Sequence, residues 1–259
     1  MSINNTDQKF SWKTFHRGNG GSKVMYDASL NESAYVYHML QWPFAKSIFE
    51  AGRLRLSPVR SWDDPYEKWW CDTLFGRKSS LSGIQAYGLC WTLGKYDEPR
   101  WRMAGFRRNE PIVRIRCQLR AILDAGRSLI GGQAGTLYLG KVRYRGEKRL
   151  LEAATAVNSG SAKEVTRTAA SMLLHKRNAF RFESEIRLLW LDRQPVQDAF
   201  FIEIDPAAVI SQIMTSPYAS QNEHLEIKAF VEKYGIESKM SAVLRAPGVE
   251  PRRNENQRP

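Results

Sequence analysis

Glu183, Glu185 and Arg187 are charged residues at every second position of one short stretch. In a β-strand, alternate side chains point to the same face, so a strand here presents two carboxylates and a guanidinium together. Arg187 can bind either carboxylate through two hydrogen bonds, which lowers the pKa of that carboxyl group and fixes its rotamer. The other carboxylate then remains available for a ligand. The alternative interpretation is one ordinary ion pair on a solvated strand face.

Residues 188–191, which follow these charges, are all apolar. A stretch that begins with alternating charges and ends in an apolar run is typical of a strand that runs from a solvated edge into a core. We therefore predict a strand over residues 180–191, with the charged side chains at its solvated end.

The elements that must position this strand follow from residue alternation, helical periodicity and capping residues. Proline in the first turn and glycine after the last turn define the first helix, at residues 42–51. Strands are predicted at residues 35–40, 54–57, 85–93, 112–117, 136–144, 200–204, 210–215 and 240–244. Further helices are predicted at residues 97–108, 119–125, 148–157, 161–177 and 221–234.

A short helix is also predicted after Asp64, because Asp64, Pro65 and Glu67 match the N-cap, N1 and N3 positions. An Asp N-cap accepts a hydrogen bond from a free backbone N–H and is worth about 1 kcal/mol. Glu at N3 completes a capping box. The helix cap accounts for these residues, and a polar contact of Asp64 in a ligand cleft is the alternative.

The chain has 259 residues, of which 42% are hydrophobic, and is long enough to bury a large core. No internal repeat or linker divides it. We predict one α+β domain over residues 34–245, with mixed, mainly antiparallel sheets and flanking helices. A flexible lead-in at residues 1–33 and a disordered tail at 246–259 are expected on either side.

The net charge of +12 favours an anionic macromolecular partner, with DNA and RNA as candidates. The basic residues are scattered and form no tail that would bind nucleic acid on its own. No apolar run is long enough to cross a bilayer, so no membrane partner is expected. The sequence does not indicate an oligomeric state.

The three cysteines, Cys71, Cys90 and Cys117, are far apart and form no CxxC pair or Cys/His cluster. This spacing is typical of reduced thiols and argues against a structural zinc site. The N-terminal residues are polar and lack the apolar segment of a signal peptide. We therefore expect a cytoplasmic protein.

Several short motifs, in this order along residues 35–217, resemble a bacterial family named domain of unknown function 2971. The sequence departs from the family pattern after Trp101, where the family has a His-Tyr pair that is missing here, so no role of that pair is expected. The motifs are Tyr35-Val36-Tyr37, Leu54-Arg55-Leu56-Ser57, Asp64-Pro65-Tyr66-Glu67, Cys90-Trp91-Thr92, Trp101, Val142-Arg143-Tyr144, Lys176 and Phe182-Glu183-Ser184-Glu185-Ile186-Arg187.

The layout of that family is similar to the ADP-ribosyltransferase fold, with its split sheet, and this resemblance implies NAD as co-substrate. Glu183 or Glu185 would then bind the nicotinamide ribose and stabilise positive charge as nicotinamide leaves, with Arg187 beside them. Which glutamate faces the ligand stays open. The further NAD-binding candidates are Tyr37 and His38 for a ribose or the nicotinamide amide, Ser57 and Thr92 as hydroxyl positions, Trp91 for stacking, and Asp64.

The leading hypothesis is thus an ADP-ribosyltransferase-like enzyme that uses NAD to modify a macromolecule, an activity suited to a toxin or phage-defence effector. A non-catalytic nucleic-acid-binding module is the alternative from a different class. A third hypothesis is a metal-dependent hydrolase built on Asp64, Glu67, Glu183 and Glu185. The sequence shows no metal-ligand spacing in support of the third.

Overall fold

The computed structural model describes residues 10–17, 22–76, 79, 81–95, 98–105, 110–131, 135–157, 165–193 and 196–244. The predicted tail at 246–259 lies outside these residues. The strands are β1 (Trp12–Arg17), β2 (Lys23–Asp27), β3 (Tyr35–Gln41), β4 (Arg53–Pro58), β5 (Gln85–Thr92), β6 (Ile112–Gln118), β7 (Gly135–Lys141), β8 (Arg143–Arg145), β9 (His175–Arg177), β10 (Glu185–Asp192), β11 (Phe200–Glu203), β12 (Ile210–Thr215) and β13 (Glu237–Met240). The helices are α1 (Trp42–Ala51), α2 (Pro65–Phe75), α3 (Glu98–Gly105), α4 (Leu119–Ala125), α5 (Glu147–Val157), α6 (Val165–Leu173), α7 (Pro206–Val209) and α8 (Gln221–Glu232).

Eleven strands form one mixed sheet in the order β1-β2-β7-β10-β5-β3-β6-β12-β13, to which β4 and β11 are added beside β5. Most neighbours are antiparallel, whereas β2 with β7 and β12 with β13 are parallel. Strands β8 and β9 form a separate parallel pair. This sheet with flanking helices agrees with the predicted α+β class. Strands β1 and β2 lie within the segment that was predicted as a flexible lead-in.

The predicted helix signals are confirmed at α1 and α2. Helix α1 has proline in its first turn and ends at Gly52, whose φ of 61° is the left-handed conformation that glycine adopts without strain. Asp64 is the N-cap of α2 and accepts a hydrogen bond of 2.8 Å from the backbone N–H of Tyr66. Among the described residues, no helix is long and apolar enough to cross a membrane.

Three predicted elements end or begin elsewhere. The predicted strand at 136–144 is divided, because the chain leaves the large sheet after β7 and pairs as β8 with β9. The predicted helix at 161–177 stops at Leu173, so that Lys176 lies on β9 rather than on a helix. The last strand forms at Glu237–Met240, directly after the turn at Gly235, because it pairs there with the edge of β12.

The predicted strand at 180–191 begins five residues later than expected. Residues Asn178–Glu183 form a 3₁₀ helix, and Ser184, with φ 43°, turns the chain into β10 at Glu185. Glu183 therefore does not share a strand face with Glu185 and Arg187. The predicted solvated end is also wrong, because β10 lies between β5 and β7 and all of its residues are buried.

Two apolar clusters cover the two faces of β10. Ile186, Leu188 and Trp190 pack in one cluster. Leu189 and Leu191 pack in the other, with apolar residues of α2 and α6. Since side chains alternate along a strand, Glu185 and Arg187 share the second face, beside α2 and α6.

Candidate functional site

A cleft opens where strand β5 changes neighbours. One edge of β5 pairs with β10 over all eight residues. Its other edge pairs with β3 at Thr92 and with β4 at Gly88 and Tyr87. Residues 89–91 therefore have no strand partner on that edge within the described sheet, and a cleft of about 590 Å³ lies there.

The cleft is lined by side chains from β3, β4, β5, α2, α3 and β9 and from the segments before α2 and β10. Aromatic rings and carboxylates face the same space, which is a combination suited to a ligand with both rings and hydroxyl groups. The aromatic and charged lining residues are Tyr37, His38, Trp62, Asp63, Glu67, Trp91, Arg100, Lys176, Phe182, Glu183 and Glu185.

Arg187 is the buried centre of a charged cluster at one end of the cleft. Its Nε lies 2.8 Å from Glu185 Oε1 and its Nη2 lies 3.1 Å from Glu185 Oε2, so Glu185 is held through both oxygens. Arg187 also contacts Glu67 through Nη2 and donates from Nη1 to the carbonyl oxygen of Leu173 at 2.7 Å. The Trp62 ring covers the guanidinium at 4.5 Å. The predicted bidentate pairing of Arg187 thus selects Glu185.

Lys176 joins the remaining carboxylates of this cluster. Its Nζ lies 2.7 Å from Glu183 Oε2, 3.3 Å from Glu185 Oε2 and 3.9 Å from Glu67 Oε1. Three carboxylates from α2, the 3₁₀ helix and β10 therefore surround two cations. Such a buried network costs desolvation, and removal of one member leaves the others without compensation.

The two glutamates of the cluster have opposite shifts in pKa. Burial raises the pKa of Glu185, but the charge and hydrogen bonds of Arg187 and the charge of Lys176 outweigh it and lower the pKa to about 2. Burial also raises the pKa of Glu183, and there Lys176 does not offset it. The Glu183 side chain is 20% exposed and that of Glu185 is 6% exposed. Glu185 is thus a fixed anion, and Glu183 is the more accessible carboxylate that binds a proton more readily.

A strained turn sets the position of Glu183. The left-handed φ of Ser184 is unfavourable for a residue other than glycine. Three hydrogen bonds hold the turn: Thr92 Oγ1 donates to the Glu183 carbonyl at 2.7 Å, the Leu93 N–H donates to the Ser184 carbonyl at 3.0 Å, and the Glu185 N–H donates to Tyr144 Oη at 2.9 Å. Thr92 does not itself line the cleft, so its position supports Glu183 from behind.

The predicted binding residues Tyr37, His38, Ser57 and Trp91 all line the cleft. Tyr37 and His38 are neighbours on one strand, yet both border the cleft because the sheet is open beside β3. The ring centroids of His38 and Trp91 lie 5.4 Å apart. The Ser57 hydroxyl accepts a hydrogen bond of 3.0 Å from Arg55. The cleft therefore brings together four of the six predicted binding residues.

Asp64 lies outside this cleft. Besides capping α2, its carboxylate pairs with Arg177 Nη2 at 3.0 and 3.2 Å. Both roles are structural ones that fix the start of α2 against β9. They also orient Glu67, which lies in the first turn of the same helix and reaches Arg187.

Sequence reasoning did not identify Lys176 and Trp62 as members of the site. Lys176 was expected on a helix, and nothing in its spacing linked it to Glu67. Trp62 packs against Gly88, where a Cβ atom would come within 2.5 Å of the indole ring. A glycine in the middle of a strand indicates such a close approach, and that signal was present at Gly88.

The described residues include no group of three or more His, Cys, Asp or Glu side chains arranged to hold a metal ion. The carboxylates considered for a metal site are bound instead to side-chain cations: Glu67, Glu183 and Glu185 to Arg187 and Lys176, and Asp64 to Arg177.

No family model, curated protein or solved structure matches the chain. The resemblance to domain of unknown function 2971 therefore rests on the sequence motifs alone, and the family and its implied activity remain predictions.

Proposed function

We propose that the protein is an ADP-ribosyltransferase-like enzyme that binds NAD in the cleft beside β5 and transfers ADP-ribose to a macromolecule. One observation carries the proposal: a glutamate pair with opposite pKa shifts borders an aromatic-lined cleft. Pairs of titratable groups whose environments separate their pKa values are typical of catalytic sites. The pairing of β5 with β3 at one end and β4 at the other supports the split sheet that this fold requires.

The lining of the cleft suits a dinucleotide. Trp62, Trp91 and Phe182 offer ring faces for stacking on a nicotinamide or an adenine. The hydroxyl groups of Ser57 and Ser61 and the carboxylate of Glu183 offer hydrogen-bond partners for ribose hydroxyls. The net charge of +12 favours the approach of an anionic ligand such as NAD.

The charged cluster fits the bond that such an enzyme breaks. The bond between ribose C1′ and the nicotinamide nitrogen is cleaved, and its electron pair leaves with neutral nicotinamide. Positive charge then develops on the ribose ring, where the fixed negative charge of Glu185 and the nearby Glu183 stabilise it. A hydroxyl or amine of the acceptor bonds to C1′, and its proton passes to Glu183, the carboxylate with the raised pKa.

Release of nicotinamide from NAD tests this proposal. The wild-type protein is expected to release nicotinamide, and Glu183→Gln is expected to lower the rate by about 100-fold, as removal of a proton acceptor does. Glu226→Gln, at an exposed position of α8, serves as the matched control and is expected to keep the full rate. Equal rates in both variants would contradict the assignment of Glu183, and no release by the wild-type protein with any acceptor would contradict the activity.

The net charge also favours a second function, a nucleic-acid-binding module without catalysis. That function predicts an affinity for RNA or DNA that falls steeply with salt, because phosphate contacts release counterions. It also predicts the same affinity in Glu185→Gln as in the wild-type protein. Salt-dependent binding without any NAD turnover would favour this second function over the first.

A further inference from the structure

Two polar atoms of the cleft lining have no hydrogen-bond partner among the described residues: Trp91 Nε1 and His38 Nε2. Trp91 is 2% exposed, and a buried indole N–H is normally hydrogen-bonded. A donor that is shielded from water and unpaired within the protein is left for a ligand in the cleft.

The hydrogen bond on the other ring nitrogen fixes the tautomer of His38. Nδ1 lies 2.7 Å from the carbonyl oxygen of Cys90, in the part of β5 that has no strand partner. A carbonyl oxygen only accepts, so Nδ1 carries the hydrogen. Burial also lowers the pKa of His38 to about 4, which keeps the imidazole neutral at neutral pH. Nε2 is therefore a hydrogen-bond acceptor.

The cleft thus holds a donor and an acceptor on adjacent rings whose centroids are 5.4 Å apart. We propose that Trp91 Nε1–H and His38 Nε2 together recognise a ligand edge that carries an acceptor beside an N–H donor. NAD has two such edges, the carboxamide of nicotinamide and the amino edge of adenine. The inference rests on the proposed function for the identity of the ligand and adds which group of that ligand is recognised.

Calorimetric titrations with three dinucleotides test the inference. Nicotinic acid adenine dinucleotide replaces the carboxamide with a carboxylate, and nicotinamide hypoxanthine dinucleotide replaces the adenine amino group with an oxygen. The wild-type protein is expected to bind NAD about tenfold more tightly than one of these analogues, because the analogue leaves His38 Nε2 without a donor. The analogue that loses affinity identifies the edge.

Variants of the two rings complete the experiment. Trp91→Phe keeps a ring but removes the N–H, and His38→Leu removes the acceptor; both are expected to bind NAD and the discriminated analogue within about twofold of each other. His38→Gln is expected to restore discrimination, because an amide can donate to the Cys90 carbonyl and accept from the ligand.

The remaining outcomes separate this inference from the proposed function. Equal affinity of the wild-type protein for all three dinucleotides would overturn the inference and leave NAD binding intact. Discrimination that persists in Trp91→Phe and His38→Leu would overturn it as well. Absence of binding by all three dinucleotides would overturn both the inference and the proposed function.

Discussion

Strand β10 has two buried faces that differ in chemistry. On one face Ile186, Leu188 and Trp190 pack in an apolar cluster. On the other, Glu185 and Arg187 form an ionic network that reaches residues of α2 and β9. Both faces are shielded from water to the same degree, so burial alone does not explain the difference.

The two faces differ in what they contribute to stability. Burial of apolar surface stabilises the fold by about 25 cal/mol for each Å² removed from water. A buried ion network gains little over an apolar replacement of similar volume, although loss of one member is costly. A network retained beside a cleft is therefore better explained by ligand binding than by stability, which is the basis of the proposed site.

Loss of the central cation should have the largest effect. Arg187→Met leaves Glu185 and Glu67 buried without their guanidinium, and we expect the free energy of unfolding to fall by about 3–5 kcal/mol. Urea denaturation measures this change. Arg193→Met, at an exposed position just after β10, is the matched control and should change it by less than about 0.5 kcal/mol. Similar effects in both variants would remove the distinction between the two faces.

Truncation on the apolar face should have a slightly smaller effect of a different kind. Leu188→Ala creates a cavity, and we expect a loss of about 3 kcal/mol in the free energy of unfolding. Because Leu188 faces away from the charged cluster, NAD affinity should be unchanged at a temperature where the variant is folded. A variant that is folded but has lost NAD affinity would show that the two faces are not independent.

Acid should act through the ionic face. The pKa of Glu185 in the folded protein is about 2, below its ordinary value of 4.5, so its contribution to stability is complete above pH 4.5 and is lost as the pH falls towards 2. We expect the loss to be about 2 kcal/mol. Denaturation of the wild-type protein and Glu185→Gln at a series of pH values measures it. Parallel pH profiles of the two proteins would contradict the lowered pKa.

The smallest effect on stability is expected at Glu183. Its raised pKa means that folding already disfavours the charged form, so Glu183→Gln should change the free energy of unfolding by less than about 1 kcal/mol. Thermal melting checks this expectation, and the same preparation serves for the assay of nicotinamide release. A large loss of stability would mean that Glu183 is chiefly a structural partner of Lys176.

Local signals in the sequence predicted more of the fold than of the site. Proline at the start of α1 and α2, and Gly52 and Asp64 as caps, act within a few residues and so could be recognised directly. The pairing of Glu185 with Arg187 was predictable for the same reason, because residues two apart share a strand face.

The other parts of the cluster depend on contacts between distant segments. Glu67 and Arg187 are 120 positions apart, and only the packing of α2 against β10 brings them together. Burial of the charged end of β10 was missed because charged residues are usually exposed, and the strands that cover it on either side are set by topology. The turn at Ser184 was missed because a serine carries no signal for a left-handed conformation.

The most direct test of the account is a calorimetric titration of the wild-type protein, Glu183→Gln and Glu226→Gln with NAD. The account predicts saturable binding of one NAD by the wild-type protein and by Glu226→Gln, and an affinity weakened by about tenfold or more in Glu183→Gln, because a ribose hydrogen bond to a carboxylate is lost. Absence of NAD binding by the folded wild-type protein would contradict the central claim, and the net charge of +12 would then favour the nucleic-acid-binding function.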